Sequence, residues 1–185
     1  MRQIQRRSRT VRLRELVPQA PLVLGDDVAC SGCTSDLQQV QPGDLFVGLI
    51  TPDGDSHEQA QEAIAKGAVA VLCERVLPLD APQAIVDDSR LAMGHACHAL
   101  AGHPSRQMPV IGVTGTHGKT TTSLLIASVL NTAQQGVAAL TSLAHCDSVN
   151  AIPATQTTPP ANELARHLAS AVEHGCSHGV VNDGR

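Results

Sequence analysis

Short apolar runs alternate with amphipathic segments along residues 27–100. A turn at Pro42–Gly43 precedes an apolar run that ends at Ile50, which indicates a buried strand. The spacing of apolar residues then predicts a helix over 57–66 that stops at Gly67. The remaining predicted elements are strands over 68–73 and 84–86, and a helix from Asp88 or Ser89 to about Leu100. Strands that alternate with helices are typical of α/β folds.

The alternation continues beyond a linker-like segment, Gly102–Ser105 followed by Met108–Pro109. The predicted elements are a buried strand over 110–114, a loop over 115–118, a helix from Lys119 to about Leu130, a strand over 137–140, a loop over 153–160, a helix over 161–174 and a strand beginning at His178. We therefore predict a basic N-terminal extension over 1–11, one domain over 12–104 and a second over 108–185.

Composition narrows the class of protein. The 185 residues are 42% hydrophobic and 16% charged, as in a globular chain, and the net charge is -4. This charge and a single aromatic residue, Phe46, argue against a nucleic-acid partner. No apolar run is long enough for a membrane span, so no membrane partner is expected. The Arg-rich first 14 residues favour a solvated extension over a transit peptide.

The cysteines give no sign of a metal or redox site. Only Cys30–Cys33 forms a CxxC pair, and no second pair or His partner follows at ligand spacing. The flanking sequence predicts strand and turn, whereas a redox CxxC opens a helix. We interpret the thiols as structural and expect a reducing, cytoplasmic location.

The segment Gly115–Thr121 has the features of a nucleotide phosphate loop. It lies between a predicted strand and a predicted helix, so backbone N–H groups around Gly118 can surround phosphates. Lys119 can reach the β and γ oxygens, and the Thr120 hydroxyl can bind Mg²⁺. The strict GxxxxGK[ST] pattern is not met, because Val113 stands at its first glycine position.

Although it departs from that pattern, the loop resembles the loop of a known family. Gly112–Thr122 looks like the ATP loop of the Mur ligases, which form amide bonds in peptidoglycan assembly and share this loop with folylpolyglutamate and cyanophycin synthetases. Pro42–Val47 and Thr157–Pro159 favour the tripeptide-forming branch. Further similarities to the family lie at Asp55–His57, Ala63–Ala68, Val86–Arg90 and His103–Ser105. The resemblance implies a small N-terminal α/β substrate domain followed by an incomplete P-loop parallel-sheet ATPase domain.

The resemblance also implies chemistry. ATP would phosphorylate a carboxylate of the UDP-MurNAc-peptide substrate, and an amino acid would displace phosphate from the resulting acyl phosphate. The implied cofactors are ATP and Mg²⁺. The implied roles are catalysis by Lys119, metal binding by Thr120, substrate binding by Thr157 and Thr158, and nucleotide binding by Gly115, Thr116, His117, Gly118, Lys119, Thr120 and Thr121.

Several residues depart from the family pattern. Leu37 stands where a serine contacts UDP, which lowers the expected affinity for UDP. Thr141–Ala144 replaces Gly-Thr-Leu-Gly, and Gln156 replaces an asparagine. Asn182 replaces the glutamate that binds Mg²⁺, and Asp183 would face the opposite side of its strand. The chain is therefore expected to be a truncated fragment that is inactive alone.

Two other functions remain open at this point. The chain could be a non-catalytic module that binds UDP-sugar and ATP, complemented by a separate C-terminal polypeptide. It could instead be an unrelated P-loop NTPase. His57 is either near a UDP site or a surface residue at a helix start, and Phe46 is interpreted as a core residue. The sequence does not specify the added amino acid or the oligomeric state.

Overall fold

The computed structural model describes residues 9–52, 54–154 and 158–183, and it divides into two units, residues 1–100 and 101–185. The fold class is mixed α/β, as the alternating pattern predicts. No helix among the described residues is long and apolar enough to cross a membrane.

The first unit is built on a five-stranded sheet. Its elements are β1 (Val11–Arg12), α1 (Leu13–Leu16), β2 (Leu22–Leu24), β3 (Ala29–Cys30), β4 (Gly32–Thr34), β5 (Asp44–Val47), β6 (Ile50–Thr51), β7 (Gly54–Asp55), a 3₁₀ turn (Ser56–Gln59), α2 (Ala60–Ala65), β8 (Ala70–Cys73), β9 (Gln83–Ile85) and α3 (Ser89–Leu100). The strand order is β2-β9-β8-β5-β4, with only β2 antiparallel to its neighbour.

The central strands of this sheet are buried on both faces. Every residue of β5 and β8 is buried, because apolar side chains pack on each side of a mostly parallel sheet. Phe46 is completely buried in a cluster with Ala60, Ala63 and Val71. The Asp88 carboxylate accepts a hydrogen bond from the Leu91 N–H at 2.8 Å and so caps the start of α3.

The second unit has one sheet with a helix packed on each face. Its elements are α4 (Pro104–Gln107), β10 (Val110–Val113), α5 (Lys119–Thr132), β11 (Val137–Leu140), β12 (Ala144–Cys146), β13 (Ala151–Pro153), α6 (Ala161–Glu173) and β14 (His178–Asn182). The strand order is β10-β14-β11-β12-β13, and β14 runs parallel to both of its neighbours. Apolar side chains of α5 pack on one face and those of α6 on the other.

The structure differs from the predicted second domain in two ways. β10 was expected to be buried, but its residues are half-buried or exposed because it is an edge strand, hydrogen-bonded to β14 alone in the sheet order. In addition, β12 and β13 form an antiparallel hairpin that the sequence pattern does not predict. The sheet is therefore mixed rather than purely parallel.

Candidate functional site

The loop between β10 and α5 adopts a backbone that only glycine takes up easily. Gly115 has a φ of 144° and Gly118 a φ of 78°, in the region that L side chains avoid. A Cβ at Gly118 would meet nothing within 4 Å, so the backbone conformation, not crowding, is what requires glycine. Gly118 directly precedes α5, and it leaves the first N–H groups of that helix uncovered by any capping side chain.

Lys119 is the first residue of α5 and lies over the loop. Its Nζ donates a hydrogen bond to the carbonyl oxygen of Gly115 at 2.6 Å. The side chain thus bends back across the glycines, where it places a positive charge beside the helix N-terminus. Both features attract anions, and their effects add.

Side chains from α5, from the segment after β11 and from β14 meet beside the start of α5. Thr120 Oγ1, on α5, shares a 2.8 Å hydrogen bond with Ser142 Oγ, which follows β11. Asn182, the last residue of β14, is buried and donates from Nδ2 to Thr120 Oγ1 at 3.2 Å. Its Oδ1 has no hydrogen-bond partner among the described residues. The carboxyl ends of two parallel strands therefore meet the start of a helix here, where α/β sheets bind ligands.

These groups line a pocket of about 360 Å³. Its lining residues are Thr116, His117, Gly118, Lys119, Thr120, Thr121, Ser142 and Asn182. The structure thus brings together six of the seven residues predicted to bind nucleotide. The carbonyl oxygen of the seventh, Gly115, accepts the hydrogen bond from Lys119. Sequence reasoning missed Ser142 as a site residue, although its place two residues after the buried strand β11 could have indicated it.

Comparison with known proteins agrees with this geometry. The model of the Mur ligase middle domain matches residues 113–182. A diaminopimelate ligase of Geobacter metallireducens, named UDP-N-acetylmuramoyl-L-alanyl-D-glutamate–2,6-diaminopimelate ligase, is 38% identical over 154 residues, covering 81% of this chain and 30% of the relative. The UDP-N-acetylmuramyl-tripeptide synthetase of Deinococcus radiodurans is 37% identical, covering 84% of this chain and 33% of the relative.

A solved structure extends the match across both units. It is a UDP-N-acetylmuramoyl-L-alanyl-D-glutamate–2,6-diaminopimelate ligase, with a TM-score of 0.74 and 25% identity, covering 95% of this chain and 36% of that one. The chain belongs to the Mur ligase family. It spans about a third of the length of the relatives that it matches. Membership excludes the alternative of an unrelated P-loop NTPase.

The residues predicted to contact the Mur ligase substrate are only partly within the described structure. Thr157 lies outside the described residues, as does Gln156. Thr158 is half-buried, and its hydroxyl donates to the carbonyl oxygen of Asn182 at 3.2 Å. This bond ties the loop before α6 to the end of β14. The substrate-binding role of both threonines stays a prediction.

In the first unit, two residues with predicted links to UDP have structural roles. His57 is 2% exposed, not on the surface. Its Nδ1 donates to the Asp55 carboxylate, and its Nε2 accepts from the Glu74 N–H at 3.1 Å, which fixes the neutral tautomer. Leu37 packs against the apolar cluster that contains Phe46. The link of either residue to UDP stays a prediction.

The thiols are free and largely buried, as expected for structural cysteines. Burial raises the pKa of Cys30 and of Cys73 to about 11. A hydrogen bond with Cys97, together with burial, raises the pKa of Cys33 well above its usual value. Neutral, buried thiols are poor nucleophiles and poor metal ligands. No group of three or more His, Cys, Asp or Glu in the described part of the chain is arranged for a metal ion.

Proposed function

We propose that the second unit binds the phosphates of ATP, or of its product ADP, as the nucleotide-binding part of a Mur-type ligase of peptidoglycan assembly. The observation that carries the proposal is the meeting of Lys119, a left-handed glycine loop and the start of α5 at one pocket. A helix N-terminus with an adjacent lysine is a strong phosphate site. Because Mur ligases use ATP, we propose ATP as the nucleotide.

In the complete ligase, the reaction has two steps. A carboxylate oxygen of UDP-MurNAc-L-Ala-D-Glu attacks the γ-phosphorus, and the bond to the ADP oxygen breaks. An amine then attacks the acyl phosphate, loses a proton, and expels phosphate as the amide forms. Negative charge spreads over the transferring phosphoryl group, so Lys119 would lower the barrier of the first step most directly.

The pocket does not fit a magnesium ion held by the protein. Thr120, Ser142 and Asn182 offer oxygen atoms, which Mg²⁺ prefers, but all three are neutral. Protein-bound Mg²⁺ is usually held through one or two carboxylates and substrate phosphates. No residue that lines the pocket in the described structure carries a carboxylate. Metal binding by Thr120 therefore stays a prediction, and no step here depends on it.

The remaining partners follow from the same proposal. The substrate would be the UDP-MurNAc-peptide, and the added amino acid is not specified by the described residues. A separate C-terminal polypeptide that completes the ligase is a further proposed partner. Because ATP and a nucleotide-linked precursor are cytoplasmic substrates, we propose a cytoplasmic location.

Titration with ADP tests the proposal directly. We expect Lys119→Ala to weaken ADP binding at least about tenfold, since it removes a charge-assisted contact to phosphate. Lys66→Ala is the matched control, because Lys66 is the other lysine of the chain and pairs with Glu62 in the first unit. Calorimetric affinities that are equal for both variants would contradict the assignment.

The non-catalytic alternative has one specific observation in its favour. Asn182 places a neutral amide where the pocket would need a charged metal ligand for efficient phosphoryl transfer. We therefore expect the chain to bind nucleotide without forming an amide bond. Release of phosphate from ATP in the presence of UDP-MurNAc-L-Ala-D-Glu and diaminopimelate would refute this expectation.

A further inference from the structure

In the described structure the phosphate pocket is lined by positive charge and by no negative charge. Lys119 supplies a cation, and the start of α5 adds the positive end of the helix dipole. The uncharged wall of the pocket consists of the Thr120 and Ser142 hydroxyls and the Asn182 amide. None of these side chains carries a negative charge that would repel a phosphate.

The position of Asn182 makes its side chain important for the net charge of the pocket. It is 1% exposed, its Nδ2 is 3.2 Å from Thr120 Oγ1, and it lines the pocket. An amide carries both a donor and an acceptor, so it can donate to a phosphate oxygen. A carboxylate at the same place could only accept, and it would repel phosphates unless a cation lay between them.

We propose that this chain binds adenine nucleotide without needing a divalent metal, because Asn182 leaves the pocket with net positive potential. Metal-free ADP carries more negative charge than its magnesium complex, and a pocket of this sign attracts the more anionic form at least as well. The inference rests on the proposed function, and it adds that the pocket binds the metal-free form of the nucleotide.

The first test compares ADP binding by the full chain in magnesium chloride and in EDTA. We expect the two dissociation constants to agree within about threefold, or EDTA to give the tighter binding. Binding that is more than about tenfold tighter with magnesium would overturn the inference while leaving the proposed function intact. Absence of ADP binding in both buffers would overturn the proposed function, and this inference with it.

The second test installs a carboxylate of almost the same shape. We expect Asn182→Asp to weaken ADP binding in EDTA by at least about tenfold and magnesium to restore it. The matched control is Asp183→Asn, because Asp183 is the next residue and does not line the pocket. Unchanged binding by Asn182→Asp in EDTA would overturn the role given to this residue.

A companion variant covers the case in which a buried carboxylate at 182 prevents folding. Ser142 lines the same wall but is only half-buried, so Ser142→Asp adds the charge where water can still reach it. We expect the same pattern, namely loss of binding in EDTA and recovery with magnesium. Circular dichroism establishes that each variant is folded before it is titrated.

Discussion

Asp147 joins the turn between β12 and β13 to the C-terminal end of α6 through one carboxylate. Its Oδ1 accepts from the backbone N–H groups of Val149 and Asn150, at 2.9 and 2.7 Å. Its Oδ2 lies 2.9 Å from His174 Nδ1 and 3.4 Å from Ser170 Oγ. Burial alone would raise the pKa of this carboxyl, but the hydrogen bonds outweigh burial and hold the pKa at about 2.

The Asp147 carboxylate makes the stability of the fold depend on pH in the acid range. A carboxyl whose folded pKa lies below its unfolded value stabilises the fold above the unfolded pKa, about 4, and that contribution is lost as the pH falls towards 2. We expect Asp147→Asn to cost about 2 kcal/mol at neutral pH and much less near pH 2. Urea unfolding across this range measures the difference. The same measurement on Asp183→Asn is the control for the loss of one carboxylate.

His167 makes the stability of the fold depend on pH in a second range, at higher pH than Asp147. Burial, then the neighbouring His145 on β12, then Arg166, lower the pKa of His167, and these outweigh Glu163 and Asp147, which raise it. His167 Nε2 lies 3.2 Å from His145 Nδ1. A histidine whose folded pKa is depressed stabilises the fold above its unfolded pKa, so stability falls as the pH drops below about 6.5.

We therefore expect His167→Gln to flatten the stability curve between pH 7 and 5. A glutamine can still hydrogen-bond His145 but takes up no proton. Chemical denaturation at several pH values in this range is the measurement, with His178→Gln as the control on β14. A slope that is identical in the wild-type chain and in His167→Gln would rule out this origin of the acid sensitivity.

Among the secondary-structure elements, α6 is the one whose packing the sequence predicts best. Its apolar residues Leu164, Leu168 and Val172 recur at helical spacing, and all three face the sheet in the structure. Leu168 is 2% exposed, and its Cδ2 is within 3.3 Å of where a Cβ on Gly179 of β14 would lie. The helix therefore packs closely on β14, an interior strand of the sheet.

Truncation of this contact should be costly. We expect Leu168→Ala to reduce the free energy of unfolding by about 2–5 kcal/mol, from lost burial and the cavity left behind. Leu125→Ala, at a position 62% exposed on α5, should change it by less than about 0.5 kcal/mol. Denaturant midpoints compare the two. Equal losses of unfolding free energy in the two variants would mean that the packing of Leu168 does not stabilise the core.

The same unit shows why some elements could not be predicted. Strand β11 is a continuous apolar run and β14 has an apolar centre at Val180–Val181, and such runs predict buried strands. The three-residue strands β12 and β13 are too short for a period to emerge, and they form because the Asp147 turn pairs them. The half-buried state of β10 depends on which strands lie beside it, information that local sequence does not hold.

Of the site, the glycine loop and its lysine were predictable because phosphate chemistry restricts which residues can stand there. The contact of Asn182 with Thr120 crosses 62 positions of sequence and depends on the strand order. The resemblance pointed to position 182, whereas two features required the structure: the buried Asn182 Oδ1, which has no partner among the described residues, and the hydrogen bond between Thr120 and Ser142.

For the whole molecule, each unit has its own buried core. Phe46 is completely buried in the first unit, and the phosphate pocket lies entirely in the second. We expect Phe46→Ala to destabilise the first unit by about 3–5 kcal/mol while ADP affinity stays unchanged. Since the chain has no Trp or Tyr, hydrogen–deuterium exchange by mass spectrometry, not fluorescence, reports each unit. Loss of protection in both units would contradict separate cores.

The strand order of the second unit also governs when it can fold. β14 lies between β10 and β11, yet it follows both in the chain. A ribosome therefore makes the two flanking strands first and must then complete residues 141–177 before it delivers the strand that joins them. Until then β10 and β11 have no shared partner, and their exposed apolar side chains favour aggregation. Synthesis rate through this stretch thus bears on the yield of folded protein.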